Sequence, residues 1–232
     1  MDQKKLYTDF WNLISETEDY LKYGMKTKHP GTPVFSERSA ETETVQPVMT
    51  VQEIIPDSEN CQNCPMLKAG KKAMPMLGNI HSDLWVVTDP PLQEAEKLNR
   101  PFGESEMEYF QKWMTAIELS LPNDLMLQNL TRCRTPGNRP PFPEEMNRCG
   151  KEIISRLEIH RPKVILVMGS ACASWFTSQK GVKISEIRGR LYSWQGIPLV
   201  VTYSPDQVLS YGELKRPVWE DLKSLRNILS GS

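Results

Sequence analysis

Four short apolar runs, separated by helical patterns, constrain the fold of this 232-residue chain more than any other feature. The runs predict buried strands at Leu84–Thr88, Leu125–Leu130, Val164–Met168 and Leu199–Thr202. Helical patterns follow Glu104, start at Pro143, follow Gly169 and occupy residues 215–229. Strands alternating with helices predict a three-layer α/β/α fold around a central, mostly parallel four-stranded sheet. Ligands of such sheets bind outside the carboxyl ends of the strands, so we expect the site in the loops there.

The chain before the first strand is predicted to have a different organisation. Residues 1–25 form an amphipathic pattern whose apolar positions include Leu6, Phe10 and Leu13, which predicts a helix. Residues 26–50 hold three prolines and five threonines without periodicity, which predicts a flexible linker. The main domain is therefore placed at residues 51–232. Two roles stay open for the first helix, which either docks loosely on the core or binds a protein partner.

The charge balance excludes one class of function. Lys and Arg number 28 and Asp and Glu number 29, for a formal net charge of −1, so the chain is not a generally cationic nucleic-acid coat protein. A small basic patch remains compatible with this balance. No apolar run approaches the roughly 20 residues that span a bilayer, and the first residues lack a signal-peptide pattern. We therefore expect a cytoplasmic monomer with no membrane partner.

Four of the five cysteines predict a metal site. Cys61 and Cys64 form a C-x2-C pair, Cys133 and Cys149 are separated by 15 residues, and Cys172 is predicted to be a packed thiol. Four thiolates suit zinc or a [4Fe–4S] cluster. The chain lacks the second C-x2-C of a zinc ribbon, which favours iron–sulfur somewhat. Scattered buried thiols are the remaining alternative.

The segments around these cysteines are similar to one known family. NLTRCRTPGNRPPFPEEMNRC resembles the motif of iron–sulfur uracil-DNA glycosylases of types 4 and 5, and ENCQNCPM resembles their C-x2-C-P-L start. Two downstream segments, EIRGRLYSWQGIPLVVTYSP and ELKRPVWEDLKSL, are also similar, so the resemblance covers residues 51–229. It implies hydrolysis of the N-glycosidic bond of uracil, or a related deaminated base, in DNA. It also implies a [4Fe–4S] cluster on the four cysteines, with zinc as the alternative.

The resemblance implies site residues as well. Asn129 matches the asparagine that reads the base, Phe102 matches the ring that stacks on it, and Thr88 begins the first motif. Asp89 stands where type 4 enzymes have glutamate, and its carboxylate is expected to position water or offset the charge on the sugar. Ser204 stands where the family has histidine and is expected to donate a hydrogen bond to the departing base. The expected catalytic residues are Asp89, Asn129 and Ser204.

Several positions depart from the family pattern. Leu92 replaces a glycine, and Ser210 replaces an arginine. A serine at position 204 carries no positive charge, and loss of such a stabiliser typically costs about 10²–10³ in rate. Four of these residues also have alternative roles. Asp89 is also compatible with a helix-capping or turn residue, Asn129 with a polar strand-end residue that satisfies local backbone groups, Phe102 with a core residue, and Ser204 with the start of a turn.

A basic patch is expected to contact DNA phosphates. It comprises Arg134, Arg139, Arg188 and Arg190. The altered motifs leave a second function open, a catalytically weakened glycosylase-fold protein that binds DNA or a protein partner. A zinc-bound α/β protein unrelated to DNA is a third and weaker alternative.

Overall fold

The computed structural model describes residues 64–68, 71, 73–179 and 181–231. The predicted N-terminal helix at residues 1–25 and the predicted linker at residues 26–50 lie outside the described residues. Cys61 also lies outside them, together with the other residues that precede Cys64 in the predicted domain of residues 51–232. These predictions stay predictions.

In the described part of the chain the central sheet has six strands, where the sequence predicted four. Their order across the sheet is β1-β3-β2-β4-β6-β5. The strands are β1 Leu77–Gly78, β2 Leu84–Thr88, β3 Leu125–Asn129, β4 Val164–Met168, β5 Leu191–Trp194 and β6 Ile197–Thr202. The four predicted strands form the parallel centre, and β1 and β5 pair antiparallel at the two edges. The two edge strands lack the signal of a buried strand, because β1 is two residues long and β5 alternates exposed with half-buried residues.

The helices confirm the predicted alternation with the strands. The four predicted helices are present, and the additional ones are four to six residues long, too short to give a periodic pattern. They are α1 Pro65–Lys68, α2 Gln93–Leu98, α3 Glu104–Ala116, α4 Pro143–His160, α5 Ser170–Thr177, α6 Ile184–Ile187, α7 Pro205–Ser210 and α8 Lys215–Ser230. No helix in the described part of the chain is long and apolar enough to cross a membrane.

The two faces of the sheet carry separate apolar cores, which confirms the three layers. On one face, Val86 of β2 packs in a cluster with Phe110 of α3 and Leu222 of α8. On the other face, Trp85 packs in a cluster with Leu157 of α4, and the same cluster includes residues of α5 and α6. Successive residues of a strand point to opposite faces, so each central strand supplies apolar residues to both cores.

A buried ion pair joins α8 to the turn before β5. The Arg188 guanidinium donates to both carboxylate oxygens of Asp221 at 3.0 and 2.9 Å, and the Thr202 hydroxyl donates to the same carboxylate at 2.7 Å. Asp221 is 1% exposed and Arg188 is 17% exposed. The structure therefore places Arg188, which was expected to face DNA phosphates, in a structural contact.

We expect Asp221→Ala to lower the free energy of unfolding by about 3–5 kcal/mol, because it removes the buried carboxylate that accepts two hydrogen bonds from the half-buried Arg188. Asp83→Ala is the matched control. Asp83 pairs with Lys163 at 2.7 Å, but both side chains are more than half exposed, so we expect a loss of about 0–1 kcal/mol. Urea unfolding of both variants measures the difference. Equal losses would contradict a structural role for the Arg188–Asp221 pair.

Candidate active site

A cavity of about 180 Å³ lies at the carboxyl ends of the central strands, where the sequence predicted the site. It is smaller than the roughly 300–1,000 Å³ of sites for drug-sized ligands, so it suits one small ring. Each of the four parallel strands contributes to its wall. The lining includes residues 88–92 after β2, Asn129 at the end of β3, Ser170 and Ala171 after β4, Asp206 after β6, and residues 138–141.

Asp89 borders this cavity and also caps a helix. Its Oδ1 accepts the backbone N–H of Cys172 at 2.8 Å, in the first turn of α5. The turn before α5 passes so close that a Cβ at Gly169, where φ is +91°, would collide with the Asp89 carboxyl group. The capping role considered from the sequence is therefore present, and it fixes the carboxyl group at the edge of the cavity.

The environment of Asp89 favours a proton near neutral pH. Burial raises its pKa from 3.8 to about 7, while the backbone N–H groups of Cys172, Ala171 and Ser170 act in the opposite direction. The Asp206 carboxylate, which also lines the cavity, raises the pKa of Asp89 further. A carboxyl group with a pKa near 7 can take or give a proton under physiological conditions, as general acid–base catalysis requires.

Asn129 is almost fully buried, and its orientation is fixed by the main chain. Its Nδ2 donates to the carbonyl oxygens of Asp89 at 2.8 Å and Pro101 at 3.1 Å. Both partners can only accept, so the NH₂ group must face them. The Oδ1 atom is buried and has no hydrogen-bond partner among the described residues. A buried acceptor without a partner is costly, and a ligand N–H would satisfy it.

Phe102 and Thr88 both line the cavity, where the resemblance placed the contacts to the base. Phe102 is 5% exposed, and its ring lies 5.5 Å from that of Phe110, centroid to centroid. It therefore belongs to the apolar core and presents part of its surface to the cavity. Thr88 is 2% exposed at the end of β2, beside Asn129 on the neighbouring strand.

The structure places Ser204 at the start of α7, and Ser204 is not among the residues that line the cavity. Its hydroxyl donates to Gln207 Oε1 at 3.1 Å and its backbone N–H donates to the same atom at 3.0 Å. Asp206, two residues later, lines the cavity, and so does Glu106. Neither acid was predicted from the sequence. The only available signal was their position in the first turns of helices that follow site loops.

The predicted DNA-binding arginines are not brought together in one patch. Arg139 lines the cavity, and both of its terminal nitrogens donate to Glu145 at 2.7 and 2.9 Å. Arg134 pairs with Glu96 at 2.7 Å. Arg190 is exposed and lines a different cleft, which shares no lining residue with the cavity.

Three of the four predicted metal-ligating cysteines line one small cleft. They are Cys64 before α1, Cys133 after β3 and Cys149 in α4, and none of the three forms a disulfide. No group of three His, Cys, Asp or Glu residues in the described part of the chain is arranged to hold a metal ion. The cleft nevertheless brings together three of the four thiols that the sequence predicts as ligands, and the fourth, Cys61, lies outside the described residues. Cys172 lies apart, buried against β2, as predicted.

The chain is similar to known proteins of one family. The family model described as the Uracil DNA glycosylase superfamily matches residues 75–223. The type-4 uracil-DNA glycosylase of Thermotoga maritima is 30% identical over 74% of this chain and 90% of its own length. The corresponding proteins of Archaeoglobus fulgidus and Saccharolobus solfataricus are 25% and 26% identical, each over 76% of this chain, and over 92% and 85% of their own lengths.

The raised pKa of Asp89 predicts a pH-dependent stability. Between its unfolded value of 3.8 and its folded value of about 7, the folded chain binds a proton that the unfolded chain releases, so stability falls as pH rises. Asp89→Asn keeps the acceptor for Cys172 but cannot ionise. As the pH rises from 5 to 8, we expect the free energy of unfolding of the variant to increase by roughly 2–3 kcal/mol relative to that of the native chain. Urea unfolding of both proteins at pH 5 and pH 8 tests this prediction. A difference in stability between variant and native chain that is the same at both pH values would contradict the raised pKa of Asp89.

Proposed function

The chain belongs to the uracil DNA glycosylase superfamily, and we propose that it removes uracil or a related deaminated base from DNA, leaving an abasic site. The family match and the relatives named type-4 uracil-DNA glycosylases, which it matches over three quarters of its length, confirm the resemblance inferred from the motifs. The observation that carries the proposal is the buried Oδ1 of Asn129, an acceptor with no partner among the described residues, in a cavity of the right size for one ring.

Asn129 supports selection of uracil against cytosine. Uracil presents an N–H at N3, which Asn129 Oδ1 can accept, whereas unprotonated cytosine presents an acceptor there. Since the carbonyl groups of Asp89 and Pro101 hold the NH₂ group, the amide cannot turn around to suit cytosine. A site built to bind a substrate N–H strongly rejects an analogue that lacks this N–H, because the acceptor of the site is then left unpaired. Phe102 would stack on the base.

The proposed chemistry breaks the bond between C1′ and the base nitrogen. Positive charge develops on the sugar, and the electron pair leaves with the base. Ionised Asp89 would offset the sugar charge or take the proton of the attacking water. The hydroxyl of Ser204 is bonded to Gln207 and does not line the cavity, so its proposed donation to the departing base requires that contact to break and the side chain to move. This arrangement supports a slow rather than a fast enzyme.

We propose that Cys61, Cys64, Cys133 and Cys149 hold a [4Fe–4S] cluster, with zinc as the alternative. The cluster would supply cross-links between distant loops and would take no part in base release. The segment between Cys133 and Cys149 contains residues 138–141, which line the cavity. A cluster that anchors both ends of this segment would hold that part of the cavity wall in place.

A second function, DNA or partner binding without base release, is favoured by the commitment of Ser204 to Gln207 and by Leu92 in the cavity wall. DNA contacts by Arg134, Arg139 and Arg190 remain proposals, as do a protein partner for residues 1–25, a monomeric state and a cytoplasmic location.

Single-turnover release of uracil tests the enzyme proposal. Cluster-loaded protein in excess over a uracil-containing oligonucleotide should produce alkali-labile breaks, at a rate that rises with pH and levels off above about pH 7 as Asp89 ionises. Asp89→Asn should lower the rate by roughly 10²–10⁴-fold and abolish this pH dependence. Asn129→Ala should lower it by roughly 10²-fold or more, and the exposed control Asn123→Ala should leave it unchanged. DNA binding without breaks would support the second function instead.

The metal proposal has its own test. Anaerobically purified protein should carry roughly four iron atoms per chain together with inorganic sulfide. We expect Cys133→Ser to lose both and the visible absorption of the cluster. The matched control is Cys172→Ser, which changes a buried thiol outside the cysteine cleft and should retain the iron. One zinc per chain in the native protein would contradict the iron–sulfur assignment.

A further inference from the structure

Asp206 differs from the other two carboxyl groups in the cavity wall, because no group of the protein binds its side chain. Asp89 Oδ1 accepts the backbone N–H of Cys172 at 2.8 Å. Glu106 Oε2 accepts the backbone N–H of Gly103, also at 2.8 Å. The carboxylate of Asp206 has no hydrogen-bond or ion-pair partner among the described residues. It is therefore the acid of the cavity that is available to bind a ligand or a water molecule.

The cavity offers this carboxylate no positive partner. Arg139 is the one cation among the described residues that line the cavity, and both of its terminal nitrogens donate to Glu145. Asp206 is half-buried, so its carboxylate is partly removed from water without a compensating charge. Such a position is costly for a carboxylate and is typical of groups that act on a ligand.

The backbone that carries Asp206 is held in place. The backbone N–H of Ser204 donates to Gln207 Oε1 at 3.0 Å and closes a capping box around the first turn of α7. Pro205 lies inside this turn and fixes its own φ angle. The Ser210 hydroxyl donates to the carbonyl oxygen of Asp206 at 2.8 Å. Only the side-chain torsions of Asp206 remain to adjust, as suits a group that must meet a reacting atom.

The charge of Asp206 acts on both of the other acids in the cavity wall. Burial, with a smaller contribution from the Asp206 carboxylate, raises the pKa of Asp89 to about 7. Burial also raises the pKa of Glu106, again with a contribution from Asp206. The carboxylate therefore faces the same space as Asp89. Asn129 lines this space too, and its buried Oδ1 has no partner among the described residues, which independently indicates that a ligand binds there.

We propose that Asp206 binds the attacking water in the cavity and takes its proton, which leaves Asp89 to offset the charge on the sugar. This inference rests on the proposed glycosylase function. In this step the water oxygen bonds to C1′, the bond between C1′ and the base nitrogen breaks, and its electron pair leaves with the base. One water proton passes to Asp206 and from there to solvent, and the base anion takes a proton from solvent. Asn129 holds the base during the step.

Asp206→Asn tests this role because it keeps the shape of the side chain and removes the base. We expect the maximal single-turnover rate of uracil release by anaerobically purified full-length protein to fall roughly 10²- to 10⁴-fold. The protein concentration that gives half of this rate should stay within about twofold, because the interaction acts on the chemical step. Asp206→Glu retains a carboxylate and should recover part of the lost rate. The matched control is Glu213→Gln, which removes an exposed negative charge just after α7 and should stay within about twofold of the native rate.

The pH dependence separates this role from a structural one. A negative charge near Asp89 disfavours its ionisation, so Asp206→Asn should lower the pKa of Asp89 and move the midpoint of the residual rate below about pH 7. Glu213→Gln should leave the midpoint where the native protein has it. Thermal unfolding of Asp206→Asn should occur no lower than that of the native protein, since the side chain has no partner to lose.

Three results would overturn the assignment to Asp206. They are a native rate in Asp206→Asn, a loss of rate that follows weaker DNA binding or a lower unfolding temperature, and a midpoint of the pH profile that does not move. Native protein that releases uracil while Asp206→Asn is unimpaired would refute the role of Asp206 alone. Native protein that releases no uracil from any strand form would refute the proposed function itself, and this role with it.

Discussion

The contact between Asp89 and the first turn of α5 holds the candidate site together. It joins the loop after β2 to the turn after β4, and the carbonyl oxygen of Asp89 anchors the amide of Asn129 on β3. Three neighbouring strands thus meet through one residue. The cost is a buried carboxyl group with a pKa near 7, and the close approach leaves room only for glycine at position 169. The chemistry of the cavity follows from this contact, because it places a proton-exchanging group at a fixed position in the wall.

The central fold was predictable because buried parallel strands leave a strong pattern. Val164–Met168 is apolar at every position, and its bounds agree with the structure. β5 was not predictable, since Leu191–Trp194 has no buried run and pairs only at the sheet edge. For the site, the sequence indicated Asp89, Asn129, Phe102 and Thr88, which all line the cavity. It could not indicate Asp206 or Glu106, because their helices reach the cavity only in the folded chain, and no local sequence pattern reports that contact.

The positions of the charged residues have a similar explanation. The sequence positions of four arginines suggested a basic patch, but a sequence pattern does not reveal which carboxylate each arginine pairs with in the fold. Arg188 meets Asp221, Arg134 meets Glu96 and Arg139 meets Glu145. The charges of these three arginines are thus paired with carboxylates within the protein. Three carboxyl groups, those of Asp89, Glu106 and Asp206, line the cavity itself. A cavity wall with three carboxyl groups stabilises a cationic sugar better than it stabilises an anionic leaving group.

The fixed amide of Asn129 also bears on how the base preference of this chain can evolve. Main-chain carbonyl oxygens set its orientation, and a carbonyl oxygen is present whichever side chain stands at positions 89 and 101. Point mutations around the cavity can weaken binding, but they cannot turn the amide to meet an acceptor, because its oxygen would then face two others. A new preference would require a different residue at position 129 or a different path of the loops. A base preference set by main-chain contacts would therefore be less sensitive to point mutation than one set by side-chain contacts.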